Sequence, residues 1–255
     1  MRTLFLSLCL LLVLAGCSEN NKTAISLSEQ ARTRLLFDDE WKFSRGDTPG
    51  AEFPGFDDSS WRLLNLPHDW SIEDLPGKNT PIDSSAAGGL DAGYLVGGTG
   101  WYRKSFVMPD KTEGQQYQIE FDGVYMNSDV WLNGKLLGEH PYGYTSFRYD
   151  ITGDLIPGKE NILAVRVRNE GHNSRWYTGS GIYRHVWFTS TGKVHLDPWW
   201  TFISGSYNGN DVKISSASSI FNDSGEGLDI VYVTRVLDKS GTEIVKTETR
   251  QAIPA

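Results

Sequence analysis

The stretch His172-Asn173-Ser174-Arg175-Trp176-Tyr177-Thr178-Gly179-Ser180-Gly181-Ile182-Tyr183-Arg184-His185-Val186-Trp187-Phe188 changes character midway. It opens polar, passes an aromatic pair at Trp176 and Tyr177, turns at Gly179-Ser180-Gly181, and runs out as an alternating segment. Alternation sets Ile182, Arg184, Val186 and Phe188 on one face of a strand and Tyr183, His185 and Trp187 on the other. Glycines on both sides of a serine admit a positive φ or a close backbone approach. The expectation is a tight loop that enters a β-strand.

The same period of two recurs upstream. Tyr117, Ile119 and Phe121 alternate, as do Val130 and Leu132. Leu163, Val165 and Val167 face one way, and Ala164, Arg166 and Arg168 the other. Asn133-Gly134, set between Val130-Trp131-Leu132 and Lys135-Leu136-Leu137, predicts a two-residue type I′ hairpin. Sustained helical spacing of apolar residues is missing throughout. Many short strands joined by Gly, Pro, Asn and Asp turns predict an all-β sandwich or barrel.

Two local motifs invite a catalytic reading and do not support it. His68 stands beside Asp69, but neighbours on extended chain point to opposite faces, so a structural role is expected for His68. Gly97-Gly98-Thr99-Gly100 ends a long glycine-rich stretch from Asn79, yet no Lys-Ser/Thr or helix follows it. Trp101 to Val107 is a strand pattern instead, which argues against a nucleotide site. Loops as long as the one from Asn79 to Gly100 are usually functional or disordered.

The chain has 255 residues with 12% aromatics and a formal charge of −8. No Lys/Arg block is present, which argues against nucleic acid as a partner. Arg2 and the uncharged run Leu4–Ala15 read as an export leader, too short for the roughly 20 residues of a membrane-spanning helix. The run ends in Leu14-Ala15-Gly16-Cys17, which resembles the bacterial lipoprotein cleavage box and implies lipid attachment at Cys17. The two cysteines are Cys9, inside the leader, and Cys17, so no disulfide and no cysteine-based metal site is expected. The implied location is the periplasm or the outer membrane. Residues 18–31 are polar and read as a tether.

Arg175-Trp176-Tyr177-Thr178-Gly179-Ser180-Gly181-Ile182-Tyr183-Arg184 recurs in company with Gly123-Val124-Tyr125-Met126, Trp131-Leu132-Asn133-Gly134 and Tyr142-Gly143-Tyr144. Together these resemble the N-terminal sugar-binding domain of family-two glycoside hydrolases, bacterial β-galactosidases above all. The likeness runs from Trp41 to Phe188. It implies a jelly-roll (galactose-binding-like) sandwich over residues 32–191, then an immunoglobulin-like sandwich from 192. Residues 192–255 are fewer than the roughly 100 such a sandwich takes, so the second unit is expected to be incomplete.

The family's reaction is retaining glycoside hydrolysis, which needs two carboxylates about 5–5.5 Å apart. The resemblance places both in a (β/α)₈ barrel. None of the 32 Asp and Glu residues matches either role, and no catalytic residue, metal or cofactor is assigned. The first domain is expected to lend loop residues to a β-galactoside site. Arg175 and Trp176 pair a planar hydrogen-bonding group with an aromatic face, and Asp91, with Asn79 behind it, comes from the long loop. The enteric β-galactosidases carry an acidic residue where Arg175 stands, which departs from their galactose contact. β-Glucuronidases and β-mannosidases share the layout. Two classes follow: the non-catalytic part of an exported hydrolase, or a lipid-anchored module that binds glycan without cleaving it.

Overall fold

The computed structural model describes residues 23–25, 32–110, 114–172, 178–209 and 211–255, among which there is no α-helix. The first strands are β1 (Thr23–Ala24), β2 (Arg32–Leu36), β3 (Trp41–Arg45), β4 (Arg62–Leu64) and β5 (Gly98–Val107). There follow β6 (Gln115–Phe121), β7 (Ser128–Leu132), β8 (Lys135–His140), β9 (Phe147–Asp150), β10 (Glu160–Asn169) and β11 (Val186–Gly192). The last four are β12 (Val194–Asn208), β13 (Asp211–Asn222), β14 (Leu228–Leu237) and β15 (Glu243–Ile253).

Two sheets make the sandwich. One runs β4-β3-β5-β10-β7-β8 with β1 beside β5, and the other runs β2-β11-β6-β9. Phe43, Tyr102, Val130, Leu163 and Val165 of the first share a buried core with Ile119, Phe121, Phe147, Val186 and Phe188 of the second. Each such side chain contributes about 1.5–3 kcal/mol of burial. The protein is all-β, as the alternation predicts. At the β7–β8 hairpin Asn133 and Gly134 both take positive φ, +53° and +84°, which is the type I′ turn expected of this pair.

Two expectations need correction. The stretch read as a tether contributes β1, which pairs in parallel with Phe106 and Val107, and Ile25 is buried. β3 pairs with β5 only over Gly100–Arg103, so the rest of that edge is open to a strand. The second correction concerns the strand after Gly181, which begins at Val186 rather than Ile182. Ile182 is buried while Arg184 and His185 are exposed, so Arg184 does not share the inward face. The backbone at 180–182 is taken by other partners, described below.

Ionic groups lie inside this framework. Lys42 and Arg103 face each other across β3 and β5. Like charges so placed repel, and Asp58 answers both, at 2.5 Å from Lys42 Nζ and 2.7 Å from Arg103 Nε. Burial opposes ionisation of Asp58, but the hydrogen bonds from Lys42 and Arg103 hold its carboxyl below the usual range. Lys104 alternates with Tyr102 and Phe106 toward the core, and its ammonium donates to the Asp39 carbonyl. Burial lowers its pKa to about 8.

Beyond β11 the chain forms two antiparallel hairpins, β12–β13 and β14–β15. The Tyr232 hydroxyl lies 2.8 and 3.0 Å from the hydroxyls of Ser216 and Ser218, which joins β14 to β13. Arg148 of β9 grips Asp197 in a two-point bond at 2.9 and 2.5 Å where the β12 register shifts. Val231, Val233 and Val245 remain exposed on the hairpin faces.

Candidate functional site

Asp69 is the hub of the loop end of the sandwich. Its Oδ1 accepts the Ser71 N–H at 2.9 Å, the Ser71 hydroxyl at 2.6 Å and the Ser180 N–H at 2.8 Å. The first two start a 3₁₀ turn at Trp70–Ile72, and the third fixes the segment leaving the Arg175 loop. A Cβ on Gly179 would lie 2.6 Å from Asp69 Oδ2, so the carboxylate's approach requires glycine there.

Backbone pairing on two sides completes the anchor. Trp70 N–H donates to Ser180 O at 3.0 Å and His68 N–H to Ile182 O at 2.8 Å. Gly181 exchanges two 2.9 Å hydrogen bonds with Tyr125. These contacts use the backbone that would otherwise extend β11. Gly181 has φ +128°, and a Cβ there would meet the Tyr102 hydroxyl at 2.3 Å. Asn169, at the end of β10, donates through Nδ2 to Gly179 O at 3.0 Å and lies 2.7 Å from the Ser180 hydroxyl.

The glycine-rich loop packs on the same segment. Asp91 sits exposed in a 3₁₀ turn, Gly89–Ala92. A Cβ on Gly89 would come within 3.4 Å of His172 Cε1, and one on Gly88 within 3.7 Å of Gly171 O. Ala92, Leu95 and Gly97 close on Thr178, Gly179 and Ser180. A cavity of about 230 Å³ opens between the loop and Asn169–Gly171. The Asp91 loop therefore touches both described flanks of the segment 173–177. Arg175 and Trp176 themselves lie outside the described residues, as does Cys17. Asn79 lies in an exposed bend and lines neither space.

Under the hub lies a closed polar network. His68 Nδ1 is 2.6 Å from the Tyr102 hydroxyl, and Nε2 is 3.0 Å from Glu73 Oε1. Arg62 donates to the same carboxylate oxygen at 2.7 Å. The Arg62 guanidinium also lies 2.9 Å from Nε2, so His68, Arg62 and Glu73 meet at one point. Burial lowers the His68 pKa against the opposing pull of Glu73, and burial raises that of Tyr102 well above its ordinary value. His68 serves the scaffold: its ring is placed against Tyr102 and Glu73. Sequence reading met Asp69 only as the neighbour of His68 and passed over Asn169, because their partners at Gly179 and Ser180 are remote in the chain. Other carboxylates here accept hydrogen bonds within the scaffold: Asp69 from Ser71 and Ser180, Glu73 from Arg62, Glu170 from Thr99.

Residues 37–207 match the model of the glycosyl hydrolases family 2 sugar binding domain. The match runs past the boundary at 191 read from sequence and into β12. The chain is 44% identical over 218 residues to the β-galactosidase BoGH2A of Bacteroides ovatus, covering 85% of this chain and 25% of that protein. A β-glucuronidase of Formosa agariphila is 27% identical over 252 residues, 90% of this chain and 25% of its own length. A family-two glycosyl hydrolase structure from Bacteroides cellulosilyticus superposes with a TM-score of 0.83 at 43% identity, over 86% of this chain and 28% of that one. The chain thus spans about a quarter of the length of the curated relatives it matches. By fold, by motif and by these likenesses, the chain belongs to glycosyl hydrolase family 2 and carries that family's sugar-binding domain.

Proposed function

We propose that the chain is the non-catalytic, sugar-binding portion of an exported β-galactosidase-type hydrolase, and that its loops at Asp91 and Arg175–Trp176 contact one β-galactoside. One observation carries the reading: the glycine-rich loop bearing Asp91 packs on both described flanks of the segment that bears Arg175 and Trp176. An indole face suits the C–H surface of a sugar ring, and a guanidinium and a carboxylate suit its hydroxyls. Asp69 and Asn169, which hold Gly179 and Ser180, act as positioning groups for the segment.

The reaction served is hydrolysis of an O-glycosyl bond with retention, through a carboxylate pair not assigned to these residues. Export through the leader and a lipid on Cys17 would set the protein on a membrane surface facing its glycan. The test is an assay of the purified chain with an activated aryl β-galactoside. No turnover is expected, because a displacement of about 1 Å in a catalytic pair already costs on the order of 10²-fold. Turnover that disappears when one of the chain's own carboxylates is replaced would overturn the reading.

A further inference from the structure

We infer that a groove at the β3–β4 edge of the sandwich is a second carbohydrate site, built for a neutral oligosaccharide. The groove holds about 480 Å³, within the range of about 300–1,000 Å³ usual for small-ligand clefts. It is lined by Ser60, Trp61, Arg45, Arg62, Glu73 and Asp74 among others, and the side chains of Arg62 and Glu73 are half exposed.

Charge decides the ligand class. Two cationic and two anionic side chains offset one another, so the groove offers no net field for a phosphate or a polyanion. Its lining is too polar for an apolar guest. Planar donors and acceptors beside an indole match a ring that carries hydroxyls at its rim and C–H bonds on its face.

The groups are held in place before any ligand arrives. Arg62 bonds Glu73 at 2.7 Å, and Glu73 in turn is 3.0 Å from His68 Nε2. Trp61 is half-buried, edge-on to Phe56 at 5.6 Å. Arg45 donates to the carbonyls of Val96 and Gly97 at 3.1 and 3.4 Å. Those two residues also line the cavity beside the Asp91 loop, so Arg45 links the groove to that loop. Pre-set side chains lose little freedom on binding. The inference needs neither Arg175 nor Trp176 and stands apart from the reading above.

The experiment is a titration of the whole chain, ¹⁵N-labelled at tryptophan, with β-1,4-galactotetraose. The Trp61 indole resonance should shift and saturate. Trp61→Ala and Arg45→Gln should each weaken binding about tenfold, and Arg175→Ala should leave the Trp61 shift intact. Arg45 is exposed, so Arg45→Gln keeps the test open if Trp61→Ala fails to fold. A Trp61 signal that stays fixed up to the solubility limit of the sugar overturns the inference. So does a shift abolished by Arg175→Ala, or equal affinity for the anionic tetragalacturonate.

Discussion

The Asp69 carboxylate accepts the Ser180 backbone N–H at 2.8 Å, joining points 111 residues apart. The same oxygen also holds Ser71, so one side chain fixes both the 3₁₀ turn and the exit of the Arg175 loop. Hydrogen bonds to a charged group are worth about 1.5–3 kcal/mol each, and orphaned partners add to the loss. Asp69→Ala should therefore destabilise the protein by about 3 kcal/mol in urea denaturation, and Asp69→Asn by less. A loss under about 0.5 kcal/mol for Asp69→Ala would show that the loop is held elsewhere.

Asp58 should matter comparably for a different reason. With Asp58→Asn the Lys42–Arg103 pair on β3 and β5 loses its counter-charge while Arg103 stays buried. Breaking a buried pair costs about 3–5 kcal/mol, and the partial exposure of Lys42 and Asp58 places the expectation at the lower end. Replacing Lys42 as well, in Asp58→Asn/Lys42→Met, should recover part of the loss. An additive double variant would contradict the repulsion argument.

Acid should weaken the fold in two stages. His68 has a lowered folded pKa, so the unfolded chain binds its proton first. Its contribution is full above the unfolded value near 6.5 and falls away as pH drops through the lower folded value. Asp58, Glu73 and Asp197 also have lowered values, and their contributions fade below the ordinary carboxylate range near 4. Stability measured against pH should fall from about pH 6.5 downward, and His68→Gln should flatten the first part of that fall. Parallel curves for wild type and His68→Gln would count against this assignment.

Alkali should reveal Lys104. Its folded pKa of about 8 lies below the ordinary 10.5, so stability gains from its deprotonation between those values. At neutral pH the buried charge is a cost. Lys104→Met should leave the protein as stable or more so at pH 7, by up to about 3 kcal/mol. The difference between the two proteins should shrink toward pH 10.5. A constant difference would show that the ammonium is not desolvated.

Much of the sandwich was legible because its period is local. Asn133-Gly134 declares its turn through the positive φ that both residues take, and Leu163, Val165 and Val167 declare an inward face. Two features were not legible. Ile182 to His185 carries a strand pattern, but Gly181 spends its hydrogen bonds on Tyr125, and neighbouring groups bond to His68 and Trp70. Thr23–Ile25 reads as polar linker until the open edge of β5 is known. Both depend on partners remote in sequence. The candidate site divides in the same way: Asp91 is suggested by its loop, whereas Asp69 and Asn169 are known only from what they hold.

The anchor is tested separately. Cys17→Ser should leave the exported protein without lipid and move it from the membrane fraction to the soluble one. Equal membrane association of both forms would contradict attachment at Cys17.

The most direct test of the sugar-site account is a titration of the whole chain with methyl β-galactoside, followed at the Trp176 indole. A site formed by these loops alone should bind at millimolar strength, about −4 kcal/mol. The Trp176 resonance should move, and Arg175→Ala and Asp91→Asn should each weaken the effect several-fold while Asn79→Ala does not. A fixed Trp176 signal, or unchanged binding in both Arg175→Ala and Asp91→Asn, would contradict the claim that these loops meet the sugar.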